Sequence, residues 1–369
     1  MIKIPQKLRH YEVYVPGKPL EEAQRELGLD KIIKLASNEN PIGASPLAIK
    51  AIGKWVEKVY LYPDSGSYYL SSRLSSLMGI PTEQILVGPG SAVIAKWIAA
   101  ALVEEGDEAI TSEKTFLIYK IAMQETPGKL IRVPAKDYGY DLGRILAEIT
   151  PRTKLIFIAN PNNPTGTHLK DGEFREFLRR VPEHVLVVYD EAYREYVDTE
   201  DHPKGEELLR EFPNLVALRT FSKIYGLAGM RVGYALFGER EVREAVWKVV
   251  PPFSVTLLAQ KAAEAALDDE EFVKKSVEVN RRGKEYLYRE LERLGLKFLP
   301  TQGNFIFVIP SLNARNVVEK LFRRGIIVRH TKAFDAPEGF RVTIGTEEQN
   351  REFIKNLEEI LGSQSSNSH

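Results

Sequence analysis

Residues 214–237 read NLVALRTFSKIYGLAGMRVGYALF. Two apolar runs of strand type, NLVAL (214–218) and RVGYALF (231–237), flank a polar, glycine-containing stretch. Within it a single lysine, Lys223, is bracketed by hydroxyls and followed by Gly226, Gly229 and Arg231. A solvated lysine in a connecting loop needs no such company. A buried one is costly unless its charge is paired or its pKa is lowered. The rest of the chain decides between the two.

Working outward, short runs rich in Val and Ile recur between about Gln84 and Phe237: ILVG (85–88), EAITS (108–112), KLIRVP (129–134), KLIFIA (154–159) and HVLVVY (184–189). Several are continuous rather than alternating, as in strands buried on both faces. AVIAKWIAAALVEEG after the first run reads as a helix closed by Gly106. Strands alternating with helices predict a largely parallel α/β sheet covered on both sides. The character changes at Pro251-Pro252. Beyond it come helical stretches, then NFIFVIP (304–310), a helix near 314–324, GIIVR (325–329), FRVTIGT (340–346) and a last helix. Thr346-Glu-Glu-Gln349 has capping-box spacing, and Phe353, Ile354, Leu357, Ile360 and Leu361 form one apolar face. We therefore expect a large α/β domain over 31–250 and a smaller α+β domain from 1–30, as an N-terminal arm, and 251–361. The polar end GSQSSNSH (362–369) is expected to be a disordered tail.

With 369 residues the chain has room for about two domains. Basic and acidic residues both number 51, so no cationic surplus calls for nucleic acid. Absence of cysteine removes disulfides, thiolate metal sites and cysteine nucleophiles. The six histidines are scattered without ligand spacing, so no metal is expected. The N-terminal residues lack a signal-peptide pattern, and VIAKWIAAALV (93–103) is too short to span a membrane, so a cytoplasmic protein is expected.

Ligands of open α/β sheets sit beyond the carboxyl ends of the strands. After ILVG comes Pro89-Gly90-Ser91-Ala92, where a helix N-terminus could offer amides to a phosphate or simply be capped. A dinucleotide fingerprint fails here, because its third glycine would fall on Val93. After KLIFIA comes NPNNPTG (160–166), after HVLVVY comes Asp190-Glu-Ala-Tyr193, and after NLVAL comes Lys223. An aspartate ending a buried strand needs a partner. Phosphate-binding amides, a carboxylate, a phenol, a lysine and an arginine at one sheet edge are what pyridoxal phosphate requires.

These motifs carry a resemblance that runs from about Tyr14 to Leu361. LASNENPIG (35–43), YPD (62–64), NPNNPTG, DEAY (190–193), FSKIYGLAGMRVGY (221–234) and FRVTIGT together resemble the class I and II aminotransferases of fold type I. The likeness is strongest to those acting on histidinol phosphate. It implies Lys223 as Schiff-base lysine and proton shuttle, and Asp190 as partner of the pyridinium nitrogen. It implies Tyr193 and Asn163 on the ring oxygen and Phe116 stacked on the ring. Thr220, Ser222, Arg231 and the amides of Ser91 and Ala92 would hold the phosphate, joined by Tyr62 from the other subunit of a homodimer. Arg341 would grip a carboxylate, and Arg329 with Tyr14 the phosphate of the donor. The implied reaction passes the amino group of L-histidinol phosphate to 2-oxoglutarate.

The chain departs from the pattern at Ala92-Val93, where backbone amides can still form the phosphate cup, and at Lys114 and Ile42, which bear on substrate choice more than on the chemistry. The rival readings are an aromatic amino-acid aminotransferase and a decarboxylase of phosphorylated amino acids, both on this scaffold. A dehydrogenase lacks its third glycine. A cofactor-sensing regulator would need a DNA-binding module.

Overall fold

The computed structural model describes residues 3, 4, 6–11, 13, 18–29 and 31–365. Tyr14 lies outside them. Its strands are β1 (Ile33–Lys34), β2 (Ile85–Gly88), β3 (Glu108–Ser112), β4 (Lys129–Val133), β5 (Thr153–Ala159), β6 (Leu186–Asp190), β7 (Leu215–Thr220), β8 (Gly233–Phe237), β9 (Lys297–Leu299), β10 (Phe305–Ile309), β11 (Ile326–Ile327), β12 (Arg329–His330) and β13 (Phe340–Thr343). Seven form one sheet in the order β2-β8-β7-β6-β5-β3-β4. All run parallel except β8, which is antiparallel to both β7 and β2. The expected parallel sheet is thus present with one reversed strand, because 221–232 forms a hairpin connection instead of a helical crossover.

The apolar runs are continuous because both faces are covered. Ile156, Ile158, Val187, Tyr189, Leu215 and Ala217 pack on one side, and Leu155, Phe157, Val188, Val216 and Leu218 on the other. Successive strand side chains point to opposite faces, so alternate residues enter different cores. The helix Ser91–Leu102 lies on the second face and stops at Leu102. Gly106, expected to close it, instead takes φ +89° in the turn before β3.

The smaller unit is a four-stranded antiparallel sheet, β12-β13-β10-β9, backed by the helices Glu270–Arg293, Ala314–Arg323 and Glu347–Ser365. The capping box forms: Thr346 N–H donates to Gln349 Oε1 at 2.9 Å, and Gln349 N–H to Thr346 Oγ1 at 3.3 Å. Phe353, Ile354, Leu357 and Ile360 are buried below it.

The division read at Pro251-Pro252 does not coincide with the change of core. The helix Leu257–Ala266 buries Ala259, Ala262, Ala263 and Ala266 in the core of the large sheet. In the other direction β1 pairs in parallel with β11, and Leu35 enters the small core. Local composition registers the prolines but not which core a helix joins. The last helix continues past Leu361 to Ser365, so helix occupies the first part of the stretch expected to be a tail. Among the described residues no helix is long and apolar enough to cross a membrane.

Candidate active site

The carboxyl ends of β2, β3, β5, β6 and β7, with the start of β8, converge on one cavity of about 160 Å³. It is lined by Ser91, Ala92, Phe116, Asn163, Asp190, Tyr193, Thr220, Lys223 and Arg231 from the large domain, and by Arg329 and Arg341 from the small sheet.

At its floor, Thr220 Oγ1 donates to Ser222 Oγ at 3.0 Å and accepts the Ser222 N–H at 3.1 Å. Arg231 is held at φ +54°, uncommon for so large a side chain. Its guanidinium donates to Ala228 O at 2.8 Å and reaches Ser222 Oγ at 3.4 Å and Pro89 O at 3.5 Å. The helix Ser91–Leu102 begins beside it, after Gly90. A Cβ on Gly90 would stand 2.9 Å from Arg231 Nη2, and one on Gly233 2.8 Å from the Ser91 nitrogen. Two glycines therefore keep open a cradle of amides, hydroxyls and one guanidinium, which suits a phosphate.

Deeper, Asp190 Oδ2 accepts the Tyr119 hydroxyl at 3.1 Å, and Oδ1 the Ala192 N–H at 3.1 Å. Burial pushes this carboxyl up to about 6 against those two hydrogen bonds. Lys223 Nζ donates to Ser37 O at 3.1 Å, and its pKa falls to about 7, through burial first and the charge of Arg341 second. A half-neutral amine at neutral pH is a competent nucleophile and base. Tyr193 OH receives Asn38 Nδ2 at 2.9 Å and Asn163 Nδ2 at 3.4 Å. Arg341 donates to Asn163 Oδ1 and, at 2.6 Å, to Ala36 O. Behind the strand ends a buried ion pair joins Arg219 to Glu191 at 2.9 Å, and Glu206 also binds Arg219. Glu191 and Arg219 are the chain neighbours of Asp190 and Thr220, so the pair ties together the two strand ends that carry them.

Residues 30–357 match the family model for aminotransferase class I and II. The chain belongs to that family. Among its relatives, the histidinol-phosphate aminotransferase of Moorella thermoacetica is 48% identical over 349 residues, which cover 94% of this chain and 90% of its own. That of Caldicellulosiruptor saccharolyticus is 43% identical over 354 residues, covering 96% and 99%. The solved histidinol-phosphate aminotransferase of Sinorhizobium meliloti, in complex with pyridoxal-5'-phosphate, superposes with a TM-score of 0.90 at 26% identity, covering 99% of both chains. This aminotransferase is therefore a pyridoxal-phosphate enzyme. The cradle between Gly90 and Arg231, the half-neutral Lys223 and the buried Asp190 fit that cofactor's phosphate, aldehyde and ring nitrogen.

Of the site residues expected from sequence, Tyr62 is not brought to this aminotransferase's own cavity. It is 81% exposed and stacks on Phe253 at 4.7 Å. Ser222 stands behind the lining, reached by Thr220 and Arg231. The sequence reading passed over Asn38, Tyr119 and Phe334. Asn38 lies inside the quoted LASNENPIG, and Tyr119 follows Phe116 at helical spacing, so both had a signal. Phe334 had none: it comes from a short turn between β12 and β13.

Proposed function

We propose that this aminotransferase moves the amino group of L-histidinol phosphate to 2-oxoglutarate, giving imidazole acetol phosphate and glutamate. One observation carries the substrate part. Arg329 and Arg341 stand directly opposite each other in the β12–β13 pair, and both line the cavity. Like charges so placed repel, and a doubly charged anion between them offsets that cost. Phe334 supports both, its ring 5.8 Å from one guanidinium and 5.7 Å from the other. A guanidinium fork takes phosphate or carboxylate equally well, so one clamp suits the phosphoryl end of the donor and a carboxylate of the acceptor in turn. The names of the 48% and 43% identical relatives agree with this reading.

Pyridoxal phosphate, when bound, supplies an electron sink for the carbon losing its proton. Lys223 Nζ, half neutral and buried in the cavity, would be the base that takes that proton from the amine-bearing carbon of the donor and the acid that gives it back. Asp190 would hold a proton at the cofactor's ring nitrogen, and Phe116 would cover the ring. Tyr193 and Asn163 would hydrogen-bond the ring oxygen. The amides of Ser91 and Ala92 would hold the phosphate with Thr220, Ser222 and Arg231. Tyr14 would join Arg329 at the donor's phosphate.

A homodimer completes the reading. Val59, Tyr60, Leu61, Tyr62, Tyr68 and Tyr69 are all at least half exposed, an apolar face that a second copy would cover. From it Tyr62 would reach the partner's phosphate cradle.

The test compares kcat/KM for histidinol phosphate, histidinol and phenylalanine with 2-oxoglutarate as acceptor. The phosphorylated donor should lead by roughly tenfold or more, the worth of a charge-assisted hydrogen bond. A preference for phenylalanine replaces the reading with an aromatic aminotransferase. Release of carbon dioxide without amino transfer replaces it with a decarboxylase.

A further inference from the structure

Residues 331–339 join β12 to β13 and close on themselves. Thr331 Oγ1 lies 2.6 Å from the carbonyl oxygens of both Ala336 and Gly339, and Thr331 O accepts the Phe334 N–H at 2.9 Å. With its polar groups satisfied internally, the turn behaves as one piece. Phe334 is its buried contact: it packs with Leu117 and Ile121 of the large domain, and its ring faces Arg329 and Arg341. Two ion pairs tie the acids of the turn to the large domain. Arg132 of β4 binds Asp335, and Lys114, in the loop after β3, binds Glu338. The second pair is the better covered, its partners 25% and 32% exposed against 28% and 46%. Lys114 Nζ also lies 4.6 Å over the Tyr138 ring, which packs on Phe307 of the small sheet at 5.5 Å. Burial would raise the Glu338 carboxyl, but the hydrogen bond from Lys114 helps to hold it below its ordinary value. Lys114 is itself fixed from below. Its carbonyl accepts Asn162 Nδ2 at 2.9 Å, and Asn162 is the chain neighbour of Asn163, whose Oδ1 accepts Arg341.

We propose that Lys114 is a positioning residue for the anion clamp: through Glu338 it pins the 331–339 turn to the large domain, and through Phe334 that turn holds Arg329 and Arg341 over the cavity. The position is one at which this chain departs from the family pattern. The inference rests on the two-arginine clamp proposed above.

The test separates positioning from plain electrostatics by its sign. Removing a negative charge near two arginines should, through Coulomb attraction alone, tighten an anion between them. Glu338→Gln keeps the shape of the side chain but unpins the turn, so here it should weaken the anion instead. In the holoenzyme, Glu338→Gln and Lys114→Gln should each raise the inhibition constant of inorganic phosphate by about three- to fivefold, the worth of a partly exposed ion pair. KM for histidinol phosphate should rise in step, while kcat and the KM for histidinol stay within about twofold. The double variant should be no worse than either single one. Lys114→Glu combined with Glu338→Lys should recover most of what Lys114→Glu alone loses. Tighter or unchanged phosphate in Glu338→Gln, additive losses in the double variant, or an equal loss with histidinol overturns the proposal. Phosphate is not a donor, so the outcome stands apart from the donor reading. Weakened phosphate in an enzyme that prefers phenylalanine removes histidinol phosphate as substrate and leaves the positioning role intact. Unchanged phosphate in an enzyme that prefers histidinol phosphate removes only the role of Lys114. A wild type that phosphate does not inhibit would remove the clamp and this inference together.

Discussion

Lys223 Nζ hydrogen-bonds the carbonyl of Ser37 at 3.1 Å, one residue along from the carbonyl that receives Arg341. The lysine and this arginine of the small sheet therefore share one strip of backbone, and their charges meet in a buried site. Arg341 is the largest charge lowering the lysine pKa, after burial itself. Below its folded pKa of about 7 the lysine is an ammonium ion, and above it a free amine. Capture of pyridoxal phosphate by apoenzyme should thus slow about tenfold per pH unit below 7. In Arg341→Gln a cation is gone, the ammonium is less disfavoured, and the midpoint should move up by on the order of one unit. Stopped-flow absorbance across pH measures both. An unmoved midpoint would leave burial and the charge of Arg231 to account for the lowering.

Asp190→Asn should keep the fold, and most of the affinity for pyridoxal phosphate, but lose at least about a hundredfold in kcat. A neutral amide cannot hold a proton on the ring nitrogen, so the electron sink is weakened. Steady-state kinetics with the saturated holoenzyme decide the matter. Near-normal kcat would assign that proton to another group.

Arg329→Gln should lower kcat/KM for histidinol phosphate by about tenfold or more relative to phenylalanine. Tyr14→Phe should act in the same direction. Arg341→Gln should harm both donors, because it removes the clamp common to phosphate and carboxylate. The informative quantity is the ratio of the two kcat/KM values. A ratio unchanged in Arg329→Gln, with phenylalanine preferred by the wild type, would hand the site to an aromatic substrate.

Lys223→Ala and Tyr62→Ala chains should each be nearly inactive as homodimers, yet complement when mixed. A heterodimer has one composite site with both residues intact, so equal mixing should restore up to about a quarter of wild-type activity once subunits exchange. Activity assays alongside a native mass-spectrometric measure of exchange give the answer. Full exchange with no recovery would remove Tyr62 from the partner's site.

Arg219→Ala should cost about 3–5 kcal/mol, because it strands Glu191 as an uncompensated buried charge. Replacing both Arg219 and Glu191 by apolar residues of like volume should cost less than either single change. Urea midpoints of the purified apoenzymes report the order. A double variant weaker than both singles would mean that the pair contributes net stability.

Much of this molecule is legible locally. The runs from 85–88 to 231–237 announced strands because burial on both faces demands continuous Val and Ile, and six of seven share one direction. Residues that follow such strands fall at one edge by geometry alone, so Lys223, Asp190, Asn163 and Tyr193 could be grouped before any coordinate was known. Whether Lys223 was solvated or buried could not be read from its neighbours. It required the cavity and the charge of Arg341, 118 positions away in the chain.

Sequence by itself determined the strand order along the chain, the capping of the last helix and the chemistry waiting at the strand ends. These depend on residue type and short spacing, which local sterics and hydrogen bonding translate directly. Tertiary structure alone decided that Leu257–Ala266 joins the large core, that β8 runs backwards, and that Asn38 faces Tyr193. It alone set Arg329 against Arg341 over Phe334. Each of these joins residues far apart in sequence. Their energies lie in packing and in paired donors and acceptors, which exist only once the chain has closed on itself.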